Sequence, residues 1–144
     1  MPTLVELFPN LQEKGYDLTS PETPFYNCMA WAAGDTARWW WPDPNDQYYW
    51  PSGIPRHETL QAFILLFKNI GYTVCEDAKY EDAFEKVAIY VDDLTGKPTH
   101  AARQVAYGRW TSKLGSLVDI EHDINGVSGR RYGSIAAIMK RPKE

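Results

Sequence analysis

Cys28 is the side chain whose type and position most suggest covalent chemistry. It follows Asn27, a residue type that caps helices, and it opens the Ala-rich segment CMAWAAGDTAR, for which we predict a helix over Cys28–Arg38. The thiolate is the nucleophilic form of cysteine, and free amides at a helix start lower the pKa of a thiol placed there. The same amides can hold an oxyanion. We therefore predict that Cys28 is a nucleophile, and the competing interpretation is a small buried apolar side chain.

A cysteine nucleophile needs a base, and the sequence offers three histidines. His100 opens a predicted strand downstream of Cys28, His57 stands at the start of a predicted helix, and His122 is flanked by acids in DIEHD. The base can come from a distant part of the chain. We take His100 as the base, with an ordinary strand-end histidine as the alternative.

A third polar residue would orient the imidazole of His100. Ser112, in WTSKLG, lies on the next predicted strand, and Asp119 follows in a predicted loop. Asp119 is chemically better suited because a carboxylate fixes the tautomer and stabilises the imidazolium. Ser112 is better placed within the strands. Spacing does not decide between them, so both remain candidates.

Residues 39–55, WWWPDPNDQYYWPSGIP, form a proline-rich loop that carries a dense group of aromatic side chains over 39–50. Flat aromatic faces beside acids and amides are typical of surfaces that stack on sugar rings or line a substrate cleft. The alternative is that the aromatics pin the loop to the domain. As substrate-contacting residues we predict Asn27, Trp31, Trp39, Trp50 and Trp110.

The elements that must position these residues come in a simple order. Apolar spacing predicts a helix over 57–70, and strands are predicted at 72–77, 86–92, 99–107, 109–113 and 132–141. Residues 1–24 read as mostly irregular, with a short helix at 3–8, and 114–131 as irregular or briefly helical. Helices followed by an antiparallel meander predict an α+β fold in a single domain of residues 1–144.

Composition limits the partners. The chain has 15 Lys+Arg against 19 Asp+Glu, a net charge of −4, which argues against nucleic acid or an anionic membrane. The sequence lacks a signal-peptide pattern, an apolar run of the ~20 residues that span a membrane, and a disulfide framework. We expect a cytoplasmic protein; the alternative is a protein that is exported or injected without a cleavable signal. With no phosphate loop, and with E-H-D at 121–123 in the wrong spacing for ligands, we expect neither a metal nor another cofactor.

Two resemblances follow from these motifs. Cys28 heading a helix with Trp31, His100 opening a strand, GRWTSK as the next strand and a closing YGSIAAIMKR resemble the layout of papain-like cysteine hydrolases. The words YNCMAWA and HAARQ…GRWTSKLG also resemble an uncharacterised bacterial domain family of about this length.

The papain-like resemblance implies N-terminal helices packed on an antiparallel β-meander, and peptidase or amidase chemistry on a peptide-like or amide substrate. The segment SPETPFYN before Cys28 lacks the oxyanion-hole glutamine of those enzymes, so Asn27 or a backbone amide would have to replace it. The chain also lacks their Asn-Ser-Trp motif after the histidine. The rival functions are a non-catalytic module that binds through loop 39–50, and a toxin-system or phage-associated interaction protein without turnover.

Overall fold

Seven antiparallel strands form one sheet in the computed structural model, which describes residues 3–20, 25–105, 109–114, 118–129 and 131–143. The strands are β1 (Tyr16–Ser20), β2 (Thr73–Cys75), β3 (Phe84–Val91), β4 (Pro98–Gln104), β5 (Trp110–Lys113), β6 (Asp119–His122) and β7 (Ser134–Pro142). Their order across the sheet is β1-β6-β5-β4-β3-β7-β2. The run β3 to β6 is therefore a meander, with β7 inserted between β3 and β2.

Four short helices accompany the sheet: α1 (Leu4–Leu7), α2 (Asn10–Lys14), α3 (Cys28–Ala33) and α4 (Leu60–Asn69). The N-terminal caps of α1, α3 and α4 are Thr3, Asn27 and Thr59, and each side chain accepts a hydrogen bond from a first-turn amide. None of the helices in the described ranges has the length and apolarity needed to cross a membrane.

The predicted papain-like α+β fold, with N-terminal helices packed on a meander, is wrong. The described structure is 19% helical and 34% strand, and the antiparallel sheet dominates it. Helix α3 stops at Gly34 rather than reaching Arg38, because Gly34 adopts φ 91° and closes the helix in the left-handed conformation. The helices α1 and α2 have only four and five residues.

Two strands account for the rest of the difference. The segment 16–20, which we read as irregular, forms β1 and pairs with β6 at the edge of the sheet. Strand β6 itself lies in the stretch that we expected to be irregular or helical. Both strands are short, so neither has enough alternating positions for a period of two to stand out from the sequence. The predicted strand over 99–107 ends at Gln104, and its position 107 lies outside the described residues.

The sheet is covered on both faces, and the pleat decides which side chain meets which layer. Ala101 of β4 belongs to the core cluster that contains α3, α4 and the aromatic loop, whereas Ala102 belongs to a second cluster with Phe8, Leu11 and Trp110. Successive side chains on a strand point to opposite faces. We call the first side the α3 face and the other the α1 face.

Candidate active site

Asn27 fastens the start of α3 to the aromatic loop. Its Oδ1 accepts from the amides of Ala30 at 3.2 Å and Trp40 at 3.0 Å, and its Nδ2 donates to the Trp40 carbonyl at 2.8 Å. The side chain is 3% exposed. Its amide group is thus already engaged at both ends, which leaves the first free amides of α3, those of Cys28 and Met29, as the donors near the sulfur.

The sulfur of Cys28 lies at a gap in the sheet. Strands β4 and β5 pair through Arg103 with Thr111 and through Gln104 with Trp110. The Val105 amide donates to the carbonyl of Arg109, the residue just before β5. Backbone groups alternate in direction along a strand, so the Ala101 amide also points toward β5. The described pairing stops short of Ala101, and its amide lies beside the Cys28 sulfur instead.

Burial raises the pKa of the Cys28 thiol to about 11, against the lowering effect of the Ala101, Met29 and Cys28 amides and of the Lys113 ammonium. The side chain is 6% exposed. At neutral pH only about one sulfur in 10⁴ is then a thiolate. Helix α3 does not deliver a preformed thiolate, so chemistry at this sulfur requires a base.

His100 is in contact with Ser112, one of the two candidates that the sequence offered as its orienting residue. His100 Nε2 and Ser112 Oγ are 2.8 Å apart, and Ser112 Oγ is 2.6 Å from Nε2 of His122. Nδ1 of His122 is 2.5 Å from the carbonyl oxygen of Asp123. These three side chains form a hydrogen-bonded chain, and all of them are fully buried on the α1 face. The structure thus extends the pair by one histidine.

The proton positions in this chain follow from its last acceptor. A carbonyl only accepts, so His122 carries its proton on Nδ1 and presents a bare Nε2, to which the Ser112 hydroxyl donates. The Ser112 oxygen then accepts from Nε2–H of His100. His100 is left with a lone pair on Nδ1, which is buried and has no hydrogen-bond partner among the described residues. This nitrogen is therefore a buried basic atom that no described hydrogen-bond donor occupies.

Both imidazoles are held neutral. Burial lowers the pKa of His122 to about 4, with the Arg109 charge adding to burial and Asp123 opposing it. Burial, followed by the neighbouring His122, lowers the pKa of His100 well below its ordinary value. A neutral His100 is the form that can accept a proton at physiological pH.

Tyr132 packs on the imidazole of His100 and lines the same cavity as Cys28. Its ring stacks on His100 with centroids 4.0 Å apart and an angle of 4° between the planes. The charge of a Cys28 thiolate raises the pKa of Tyr132, in addition to burial, so Tyr132 is near both groups. Its carbonyl accepts from Thr99 Oγ1 at 2.5 Å.

A tight backbone closure sets the position of Tyr132. Gly129 and Gly133 exchange both backbone hydrogen bonds, at 2.9 and 2.7 Å. Gly133 has φ 76°, and a Cβ on it would lie 1.8 Å from the Val91 carbonyl oxygen. Only glycine allows this approach to the end of β3, which holds Tyr132 over His100.

Asp119, the other predicted orienting residue, faces the opposite side of the sheet. It pairs in register with Lys113, one position from Ser112, so the pleat directs it to the α3 face. Its Oδ2 accepts from the Tyr26 hydroxyl at 2.7 Å, and its buried Oδ1 has no hydrogen-bond partner in the described chain. The Lys113 ammonium lies 5.3 Å from the centre of the Tyr26 ring. Asp119 thus holds Tyr26, in the segment before α3, and does not contact His100.

Cys28 opens onto a cavity of about 530 Å³. Trp39, Trp41 and Tyr48 line it from the aromatic loop, and its other lining residues are Phe8, Asn27, Thr99, Leu114, Arg131 and Tyr132. Asn27 and Trp39 are thus the predicted substrate contacts that border the cavity. A cavity of this size, apolar with a few polar groups, is typical of a small-molecule or side-chain site.

The other three predicted substrate contacts do not line the cavity. Trp31 donates from Nε1 to Thr111 Oγ1 at 3.0 Å on the α3 face. Trp50 is buried against Phe63 and donates to the Pro55 carbonyl, and Trp110 is 1% exposed in the core of the α1 face.

The polar residues of the aromatic loop hold the loop itself. The Arg56 guanidinium contacts Asp43 Oδ1 at 3.0 Å and Asp46 Oδ1 at 2.7 Å, and the Asp43 carboxylate accepts from the amides of Gln47 and Tyr48. These groups are engaged within the loop, so they present Trp39 and Tyr48, whose rings are 5.9 Å apart, as a fixed wall.

His122 and Tyr132 are the site residues that sequence reasoning missed as partners of His100. For His122 the available signal was the alternation of side chains along a strand. Ile120 lies opposite Ser112 in the register of β5 and β6, and His122, two residues after Ile120, therefore points to the same face as Ser112. That register was not accessible without recognising β6. Within the described residues, no three His, Cys, Asp or Glu side chains are grouped as metal ligands.

Comparison with known families gives one finding. A family model described as "Domain of unknown function (DUF7689)" matches residues 17–140. Comparisons with curated proteins and with solved structures gave no match.

Proposed function

The chain belongs to the family described as Domain of unknown function (DUF7689), and we propose that it is a cysteine-dependent hydrolase acting on a peptide-like amide or an ester. The observation that carries the proposal is the position of the Cys28 sulfur beside the Ala101 amide. That nitrogen is three covalent bonds from Cβ of His100, whose Nδ1 is buried and unpartnered. The sulfur thus lies beside the backbone that carries a neutral base. No hydrogen bond joins it to His100 Nδ1 among the described residues, and the link between the two groups is Tyr132, which lines the cavity with Cys28 and stacks on His100.

The reaction follows from the protonation states. His100 Nδ1 takes the thiol proton as the sulfur bonds to the carbonyl carbon, and the amides of Cys28 and Met29 donate to the developing oxyanion. The imidazolium then gives that proton to the leaving amine or alcohol as its bond to carbon breaks, which leaves a thioester on Cys28. Water, deprotonated by His100, attacks the thioester, and the proton returns to the sulfur as the acid departs.

Ser112 has a positioning role in this scheme. By accepting from Nε2–H of His100 it fixes the tautomer that leaves Nδ1 free. The hydrogen bond also strengthens when His100 becomes cationic, because charge-assisted hydrogen bonds are the stronger ones. The free thiols Cys28 and Cys75 are consistent with a reducing, cytoplasmic setting for this chemistry.

Alkylation by iodoacetamide, followed site by site with mass spectrometry, tests the proposal. We expect Cys28 to react faster than Cys75 at pH 7, and His100→Gln to slow Cys28 by at least about tenfold. His57→Gln is the matched control and should change nothing. p-Nitrophenyl acetate should leave one acetyl group on Cys28 and none on Cys28→Ser. Equal, slow alkylation of both cysteines together with no acetylation would overturn the proposal.

A second function is favoured by the wall of Trp39, Trp41 and Tyr48, which lines the cavity whether or not Cys28 reacts. On that view the chain is a binding module for a peptide-like ligand or another protein. Tryptophan fluorescence separates the two functions. A module without turnover binds its ligand equally well in Cys28→Ala and leaves it chemically unchanged, as read by mass spectrometry.

A further inference from the structure

Arg131 stands between the cavity at Cys28 and a second cavity. The second cavity has a volume of about 590 Å³, and Leu7, Pro9, Asn10 and Ser128 are among its lining residues. Arg131 lines both cavities. A substrate that extends from the sulfur into the second cavity would therefore contact Arg131.

The charge of Arg131 is not compensated within the described part of the chain. Arg38 is paired with Asp35, Arg56 with Asp43 and Asp46, Arg109 with Asp17 and Glu121, and Arg141 with Glu85. Arg131 forms none of the described ion pairs or hydrogen bonds, and none of the described residues that line the cavity at Cys28 is a carboxylate. The acid of the second cavity, Glu6, accepts from Thr3 as part of the α1 capping box. An anion in the Cys28 cavity would meet a positive potential.

The backbone that carries Arg131 is also held by hydrogen bonds. Arg131 lies inside the closure of Gly129 on Gly133 and directly before Tyr132, which stacks on His100. Arg131 and the ring that packs on the base are thus neighbours within one hydrogen-bonded closure. A substrate group bound at Arg131 would be held at a constant distance from the reacting centre.

We propose that Arg131 binds a carboxylate of the acyl donor, so that the substrate is a peptide-like chain with an acidic group beside an apolar or aromatic one that contacts Trp39 and Tyr48. This deepens the proposed hydrolase function and rests on it. A guanidinium suits a carboxylate because its paired N–H groups match the two oxygens. The source, a side-chain carboxylate or a chain terminus, is the same chemistry at this site.

Two alkylating reagents of similar size but different charge test the proposal. The rate ratio of iodoacetate to iodoacetamide at Cys28, referenced to the same ratio at Cys75, should fall about threefold to fivefold in Arg131→Gln, as expected for an exposed unit charge near an anion. Arg131→Lys should retain most of the ratio. Lys68→Gln, an exposed charge on α4, is the net-charge control and should leave it unchanged. The effect should shrink at 1 M salt.

A binding measurement keeps the test independent of reactivity. N-acetyl-L-phenylalanine should quench tryptophan fluorescence at lower concentration than N-acetyl-L-phenylalaninamide, and Arg131→Gln should remove the difference. A reagent ratio that does not respond to Arg131→Gln, with equal binding of acid and amide, would overturn the carboxylate site and leave the hydrolase standing. An inert Cys28 with carboxylate-selective binding would sink the hydrolase instead, and with it the acyl-donor role proposed for the bound acid.

Discussion

Acidification from pH 7 to pH 5 should destabilise the fold through its two buried histidines. His122 changes its pKa from 6.5 in the unfolded chain to about 4 in the fold, and the pKa of His100 is lowered in the same direction. Between about pH 4 and pH 6.5, His122 binds a proton in the unfolded chain that it does not bind in the fold. Stability is therefore complete above about pH 6.5 and is lost as the pH falls.

The magnitude for His122 follows from its two pKa values. Between pH 7 and pH 5 the difference in proton binding lowers the free energy of unfolding by about 2 kcal/mol, and the loss continues toward pH 4. His100 adds to it with the same sign. Asp35, Asp43, Asp92 and Glu81 have lowered pKa values, and their contributions are lost only below about pH 4.5. The window from pH 7 to pH 5 therefore isolates the histidines.

Urea denaturation at pH 7, 6 and 5, followed by tryptophan fluorescence, measures the effect. The native protein should lose at least about 2 kcal/mol, a large part of the stability of an ordinary domain. His122→Gln should be less stable at pH 7 but should lose about 2 kcal/mol less over the same window. His57→Gln, at an exposed position, should follow the native curve. A free energy of unfolding that stays constant between pH 7 and pH 5 would refute the conclusion that burial holds His100 and His122 neutral.

Two substitutions test the supports of the site by urea denaturation at pH 7. Ser112→Ala should cost about 2–4 kcal/mol, because it leaves Nε2 of both His100 and His122 buried without partners; a loss below about 0.5 kcal/mol would contradict the described hydrogen bonds. Gly133→Ala should cost at least about 2 kcal/mol more than Gly96→Ala, since the two glycines have φ 76° and 72° but only Gly133 has a backbone atom where Cβ would stand. Equal losses for the two glycine variants would show that the closure is not tight.

The central strands β3, β4 and β7 were predictable from the sequence because they are long enough to show a pattern. Strands β3 and β7 have eight and nine residues, and the helix α4 has apolar residues at helical spacing. The edge pair β1 and β6 was not predictable, since each strand is stabilised by the other and neither carries its own signal. Helix α3 was overextended because the sequence favours helix up to Arg38, whereas the left-handed Gly34 ends it four residues earlier.

The contact of His100 with Ser112 followed from neighbouring strands, and the placement of Asp119 did not. In the sequence, Asp119 lies in a predicted loop and is free to reach His100. In the structure it is a strand residue in register with Lys113, and the pleat alone sends it to the other face. A register shift of one residue would have exchanged the positions of Asp119 and Ile120. The choice between the two orienting residues is thus a property of β6, whose existence had to be known first.

The buried thiol sharpens what kind of nucleophile the site supports. A thiol with a pKa of about 11 is almost fully protonated at neutral pH. Its reactivity must therefore come from transfer of its proton to a base at the moment of attack, as for serine hydroxyls. Such a transfer needs a base that is neutral and whose lone pair is free. The two conditions are met together at His100 because burial lowers its pKa and because the chain through Ser112 to His122 fixes its proton on Nε2. The carbonyl of Asp123, which accepts from the last histidine, thereby determines which nitrogen of His100 is bare.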